Sequence, residues 1–237
     1  MGRATALAFA REGASVVVAD IAERGAEETV SAIKELGGLA IPVRCDVTRG
    51  SDIEAALAKG VDTFGRLDAA VNNAGLDQRA AATADISEDE WERSVSVNLT
   101  GVFLCLKFEI PLMLKYGGGA IVNTSSGAGV MGVKGKAAYT AAKHGVVAMS
   151  HSINMEECVN GIRSCVVCPG EVATPILDKR PVPVSAAERA QMVQPEDCAD
   201  LIRYIASLPK HVCINEVMIT PTWNRGYVAA LQTRGVR

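Results

Sequence analysis

The chain has 237 residues, 49% of them hydrophobic, with 24 Lys and Arg against 27 Asp and Glu for a formal charge of -3. That length suits one α/β domain spanning residues 1–237, and a near-neutral balance with no basic block excludes nucleic acid and anionic membrane surfaces as expected partners. No apolar stretch of membrane-span length and no secretory leader pattern stands out, so a cytoplasmic protein is expected.

The opening stretch MGRATALAFAREGASVVVADI reads as a helix running into a strand. Ala4, Leu7 and Ala8 recur at helical spacing, Gly13 falls where a helix ends, and Val16, Val17 and Val18 form a β-branched run closing on Asp20. An apolar run without alternation suits a parallel strand covered on both faces, and such sheets are built from repeated strand-helix-strand units. A unit that opens on its helix lacks its first strand.

Further strand-like runs follow near 39–45, 67–72, 119–125, 162–168 and 213–219, each separated by helical material. This alternation predicts a doubly wound parallel sheet in a single domain, with the first strand absent from the sequence. Ser51 with Glu54 and Ser87 with Glu90 fit capping boxes at two helix starts, and Ile53, Leu57 and Phe64 mark the buried stripe of the first. Residues 178–197, rich in Pro and charge, predict a surface loop of the kind that covers a substrate.

Seven cysteines scattered over the chain fit reduced thiols rather than a disulfide framework. Cys165 and Cys168 form a C-x-x-C, but in a strand residues three apart point to opposite faces. No second such pair exists, and His144, His151 and His211 share no ligand spacing, so neither a metal nor a redox role is expected.

Ligands of an open parallel sheet bind at the carboxyl ends of its strands. There the chain places Asp20, then Asp46, then NNAG at 72–75, then NTSSGAG at 123–129 leading into AYTAAK, then PGEVATP at 169–175. Five consecutive polar or Gly-rich tips predict a ligand rim. Together these motifs resemble the short-chain dehydrogenase/reductase family of Rossmann-fold oxidoreductases over essentially the whole chain. The resemblance carries the family's catalytic Asn, Ser, Tyr and Lys onto Asn98 in SVNLTG, Ser126 in NTSSG, and Tyr139 and Lys143 in YTAAK, with the family's usual separation of thirteen positions from Ser126 to Tyr139.

The chemistry explains these residue types. Hydride transfer between a nicotinamide and an alcohol or ketone also moves a proton, and a free Tyr with a pKa of about 10 is a poor base at neutral pH. Lys143, one helical turn beyond Tyr139, brings a positive charge that depresses that pKa, while Ser126 donates to the substrate oxygen. The resemblance further implies that Lys143 contacts the nicotinamide ribose and that Asn98 supports a water-linked proton path. Asn73, Ala74 and Gly75 let backbone approach the cofactor closely. The resemblance also places Asp46 and Val47 where the family contacts adenine, and Pro169, Gly170, Val172 and Thr174 at the positions that line the nicotinamide side. Asp20 selects NAD, since its carboxylate accepts bonds from ribose hydroxyls and repels the extra phosphate of NADP; Arg24 beyond it leaves some room for NADP.

Two departures stand out. Of the family's Gly-rich phosphate loop, T-G-x-x-x-G-x-G, only its last glycine, Gly2, is present. A central strand of about five residues, bonded on both sides at roughly 1 kcal/mol per bond, approaches the whole stability of a domain. Either a neighbouring segment or partner chain compensates, or the polypeptide begins about 15–25 residues upstream, with Met1 internal or a misassigned start; the upstream start is the preferred expectation. At the other end, NEVMITPTWNRG at 215–226 replaces the family's V-D-G-G turn.

The expected activity is an NAD-dependent interconversion of a secondary alcohol and a ketone, with Tyr139 as general acid and base. Met131, Val133 and Val172 point to an apolar pocket, whereas Lys134 and Lys136 would favour an anionic carbonyl compound. The alternatives are an NADP-dependent 3-oxoacyl thioester ketoreductase and a non-catalytic dimerising scaffold. Helices ending near 115 and 158 pair subunits in the family, which implies a homodimer or homotetramer.

Overall fold

The computed structural model describes residues 1–179 and 182–225. Among the described residues fourteen helices and strands follow one another: α1 Gly2–Arg11, β1 Val16–Asp20, α2 Glu23–Glu35, β2 Ala40–Arg44, α3 Gly50–Phe64, β3 Ala69–Asn72, α4 Glu88–Val95, α5 Gly101–Leu114, β4 Gly119–Thr124, α6 Ala137–Glu157, β5 Ile162–Pro169, α7 Ala186–Ala190, α8 Pro195–Ser207 and β6 Glu216–Ile219. Every strand pair is parallel, as the repeated strand-helix units require. All six predicted strands are present with ends within about three residues of the sequence reading.

The strands divide into two sheets, β1-β2 and β3-β4-β5-β6. Among the described residues β1 pairs only with β2 and β3 only with β4, so the expected gap in the sheet falls between them. Helices hold the halves together instead. On α1, Ala6, Leu7 and Ala10 pack with Val16, Val18, Val30 and Ile33 of the smaller sheet and its helix. Phe9 of the same helix packs with Val71, Val122, Val167 and Ile202 of the larger one. On the opposite side, Ile53, Ala56 and Leu57 of α3 pack with Leu104, Cys105 and Phe108 of α5. Gly60 lets α3 approach β1, since a Cβ there would lie 2.9 Å from Val17 Cγ2.

The larger sheet is covered on both faces, which is why its central strands carry unbroken apolar runs. Ile121, Val166 and Cys168 face Val102, Leu106 and Met113 of α5 and Val146 and Ile153 of α6. Val122, Cys165 and Val167 face Ile202 and Ile205 of α8. Cys165 and Cys168 therefore belong to different core clusters, on opposite faces of β5 as the strand period requires. Ile121, Val122, Val166 and Val167 are 0% exposed, each worth about 1.5–3 kcal/mol of burial.

A polar ladder crosses this core. Asn72 Nδ2 donates to Glu109 Oε2 and to Asn123 Oδ1, both at 3.0 Å, and Asn123 Nδ2 donates to Ser164 Oγ at 3.2 Å. Asn72 and Asn123 are register partners on β3 and β4, so pairing of the strands itself aligns the amides. Glu109 is buried, and desolvation pushes its carboxyl up to about 7, with the Asn72 bond opposing.

Three local expectations differ. The N-cap predicted at Ser51 lies two residues earlier, at Arg49, with no side-chain cap, and Asp52, which faces Arg44 and Arg49, accepts from Asp46 N at 3.1 Å. The Ser87 cap does form, its hydroxyl accepting from Glu90 N at 3.2 Å. The loop predicted at 178–197 contains α7, opened by a capping box between Ser185 and Glu188. Finally, the continuous helical run Glu88–Leu114 contains a window of mean hydropathy 1.6, long and apolar enough by length and composition to cross a membrane, which the sequence reading did not register. In the fold its buried residues, Asn98, Val102, Leu106, Glu109 and Met113, form the inner face of a core helix.

Candidate active site

The carboxyl ends of β3, β4 and β5 bring most of the predicted residues together. β4 ends at Thr124, and Ser126 follows in extended conformation, capping a short turn through a 3.2 Å bond from Ala128 N to its hydroxyl. Tyr139 lies in the first turn of α6, with the Ser126 hydroxyl close enough to its phenol to lower its pKa. Lys143 follows one turn later with its Nζ 5.8 Å from the Tyr139 ring centroid. The Lys143 side chain is 4% exposed and its ammonium donates to Thr124 O at 2.9 Å. Ser125 Oγ donates to Lys143 O at 2.9 Å, which ties α6 to the end of β4.

Asn98 sits where the α4–α5 run widens into a π-type turn, Ser96–Thr100. It is 0% exposed, and its amide clamps the segment after Gly75: Oδ1 accepts from Leu76 N at 3.1 Å while Nδ2 donates to Leu76 O at 3.1 Å and Ser94 O at 3.0 Å. A Cβ on Gly75 would lie 3.0 Å from Asn98 Oδ1 and 3.6 Å from Lys143 Nζ, so this backbone runs directly past the lysine. Ala74 is exposed beside it.

Electrostatics differ from the simple sequence expectation. Burial is the largest influence on Tyr139 and raises its pKa; the Ser126 hydrogen bond lowers it, and the Asp77 carboxylate raises it again. Burial likewise lowers Lys143 to about 8. In the protein alone the Tyr139 pKa is therefore raised, opposite to the depression expected from Lys143.

The remaining predicted residues fall into two groups. Asp20 is exposed at the end of β1, where Oδ1 accepts from Ala22 N at 2.9 Å, and Asp46 follows β2 with its carboxyl lowered chiefly by hydrogen bonds from Thr48. Val47 packs on the start of α5, where a Gly101 Cβ would meet its Cγ2 at 2.9 Å. On the far side Gly170 N donates to Ile219 O at 2.8 Å, and a Cβ on Gly127 would lie 3.7 Å from Pro169 O, placing the strand end against the Ser126 turn. Val172 bridges Val193 and Thr174 N donates to Val172 O at 2.8 Å, closing the base of the loop between them. Gly2 stands against Asn73, its ideal Cβ 2.9 Å from Asn73 Nδ2.

These residues fit a dinucleotide. Asn73 Oδ1 and Thr124 Oγ1 are buried with no partner among the described residues, and at Gly2 and Gly75 an added Cβ would crowd Asn73 Nδ2 and Asn98 Oδ1. The sequence reading missed Asp77, Gln78 and Thr124. Thr124 acts through a backbone carbonyl, which leaves no residue-type signal, and Asp77 and Gln78 lie in an irregular loop without periodicity. Lys136, read as a contact for an anionic substrate, is instead paired with Asp77 at 2.8 Å.

The chain belongs to the short-chain dehydrogenase/reductase family: the family described as short chain dehydrogenase matches residues 1–182. Cyclohexanol dehydrogenase of Acinetobacter sp. (strain SE19) is 38% identical, the match covering 87% of this chain and 83% of that one. Cis-4-hydroxycyclohexanecarboxylate dehydrogenase of Sinomonas cyclohexanicum is 36% identical over 87% and 85% of the two chains. A 3-oxoacyl-[acyl-carrier-protein] reductase of Thermotoga maritima is 35% identical over 87% and 86%. Among solved structures, levodione reductase superposes with a TM-score of 0.87 at 30% identity, covering 92% of this chain and 91% of that one. The protein is an NAD(P)-dependent oxidoreductase with a Rossmann-type fold, acting on alcohol or ketone substrates.

Proposed function

We propose that this enzyme is an NAD-dependent dehydrogenase of alicyclic secondary alcohols, with Tyr139 as general acid and base. The observation that carries the reading is the Tyr139 phenol flanked by the Ser126 hydroxyl and by the buried Lys143 ammonium beside the ring. A substrate oxygen held by Ser126 and Tyr139 gives up its proton to the tyrosinate in oxidation and takes it back in reduction. Lys143 stabilises the tyrosinate, and two of its three donors remain for ribose hydroxyls once Thr124 O is bonded. Asn98 holds the 73–76 backbone against the cofactor. Gly2, Asn73, Ala74 and Gly75 line its phosphate and nicotinamide side, Asp46 and Val47 its adenine, and Pro169, Gly170, Val172 and Thr174 its nicotinamide. The bound nicotinamide supplies the hydride acceptor or donor.

Apolar side chains support an alicyclic substrate. Met131 and Val133, on the connection between Ser126 and Tyr139, are 47% and 41% exposed, and Ile176 on the facing loop is 40% exposed. Neutralisation of Lys136 by Asp77 removes one cation that would have favoured an anionic substrate. Two of the relatives above carry cyclohexane-ring alcohols in their names.

For the cofactor, Asp20 supports NAD because its free oxygen is available to a ribose diol and repels a phosphate. Arg24 is engaged by Glu28 at 2.9 Å, which diverts that cation from a 2′-phosphate. Asp20→Ala is expected to reduce the preference for NADH over NADPH by about tenfold or more, read as the ratio of Kd values by calorimetric titration. The test of function is oxidation of cyclohexanol with NAD, followed by NADH absorbance. The 3-oxoacyl reductase relative favours a second reading, reduction of 3-oxoacyl thioesters with NADPH, and higher kcat/KM for that pair would replace the first.

A homodimer or homotetramer is part of the proposal. Phe103 on α5, Met155 on α6 and Val159 just beyond are 49%, 83% and 87% exposed, and light scattering on the eluted protein reads the assembly.

A further inference from the structure

Tyr139 N belongs to the first turn of α6, whose amides have no partner within the helix. The N-cap residue, Lys136, supplies no side-chain bond. The cap comes from a distant loop: Gln78 Oε1 accepts from Tyr139 N at 2.9 Å. Gln78 is 3% exposed. Its orientation is set by chemistry, since the opposite amide rotamer would face two N–H donors to each other. The consequence is that Gln78 Nε2 is buried without a partner among the described residues, a desolvation cost of the kind found where local geometry matters more than stability.

Three further contacts pin the same loop to the same helix start. Lys136 Nζ pairs with Asp77 Oδ1 at 2.8 Å and also donates to Gln78 O, and Ala81 N donates to Gly135 O at 3.1 Å. One residue before Asp77, Leu76 is held on both its backbone groups by Asn98. The loop 76–81 is thus gripped at one end by Asn98 and at the other by the helix that presents Tyr139.

We infer that Gln78 is a positioning residue for the reaction, capping α6 at Tyr139 so that the phenol stays aligned with Ser126, while Lys136 neutralises Asp77 next to that phenol. The charged and titratable groups facing Tyr139 are Lys143 from its own helix, Asp77 from the loop and Lys136 from the helix start, with the Ser126 hydroxyl from the β4 end. Lys136 is the one whose removal leaves a carboxylate uncompensated. This inference rests on the assignment of Tyr139 as acid and base, and its first test is independent of turnover.

The direct readout is amide hydrogen exchange at Tyr139. Gln78→Met, close in volume but without an acceptor, is expected to speed exchange at that amide by about tenfold or more while leaving protection in β4 and β5 unchanged. Gln78→Glu restores an acceptor and is expected to restore protection. In alcohol oxidation Gln78→Met is expected to lose about 10- to 100-fold in kcat with NADH affinity unchanged. Lys136→Met is expected to shift the kcat/KM profile to higher pH, and Asp77→Asn added to it to reverse the shift. Wild-type exchange at Tyr139 in Gln78→Met, or wild-type kcat and pH profile in both Gln78→Met and Lys136→Met, overturns the inference. A wild-type enzyme that oxidises no cyclohexanol refutes the proposed substrate class instead, and the exchange result still decides whether Gln78 holds the helix.

Discussion

Tyr139→Phe is expected to lower kcat/KM for alcohol oxidation by about 100- to 10,000-fold while leaving NADH affinity within about twofold of wild type. The phenol stands between the Ser126 hydroxyl and the Lys143 ammonium, so Phe keeps the packing and removes the proton carrier. The pH profile of the wild type follows from the direction of its shift. Burial raises the Tyr139 pKa, so the basic form needed for oxidation grows with pH, and kcat/KM for oxidation should climb toward the alkaline side. The Phe variant should lack that climb. Equal turnover by both forms, or none by either across a panel of secondary alcohols, would remove Tyr139 from the mechanism and favour a scaffold that binds nucleotide without chemistry.

Glu109→Gln is expected to stabilise the protein at alkaline pH by an amount on the order of 3 kcal/mol. The folded-state pKa of about 7 lies above the ordinary 4.5, so the folded chain holds a proton there that the unfolded chain has released. Below 4.5 both states are protonated and Glu109 contributes no pH dependence. Between 4.5 and about 7 stability falls as pH rises, and above 7 the full cost remains. Gln keeps an oxygen for Asn72 and has no charge to desolvate. Denaturant midpoints of the two proteins should therefore converge near pH 4 and separate toward pH 8. Parallel curves across that range would show that Glu109 is not the titrating group.

Both predictions draw on residues of different visibility. Tyr139, Lys143 and Ser126 were legible only through the family resemblance of their joint spacing, since a Tyr and a Lys four apart are by themselves an ordinary helix face and a serine at a strand end an ordinary turn. The six strands were legible for a different reason: β-branched runs bounded by Gly and polar tips have few other solutions. Glu109 carries no such mark, since a glutamate inside an apolar helix reads as an exception until β3 brings Asn72 against it 37 residues away in sequence. The capping box predicted at Ser51 failed for the complementary reason, a local pattern overridden when Asp46, Arg44 and Arg49 converged on Asp52.

Gln78 marks the limit of sequence reading most clearly. Its acceptor meets Tyr139 N across 61 residues of chain, and its neighbour Asp77 meets Lys136 across 59. Spacing rules describe contacts within one helix or strand, where backbone geometry sets the distance; they say nothing about which loop falls against which helix end. The sequence by itself determined the class of fold, the order of its strands and the residue types at their carboxyl ends, because these follow from periodicity and turn chemistry. Only the tertiary structure decided which polar groups are buried, which charges are paired and which side chain caps α6, because burial and pairing depend on what the rest of the chain packs against them.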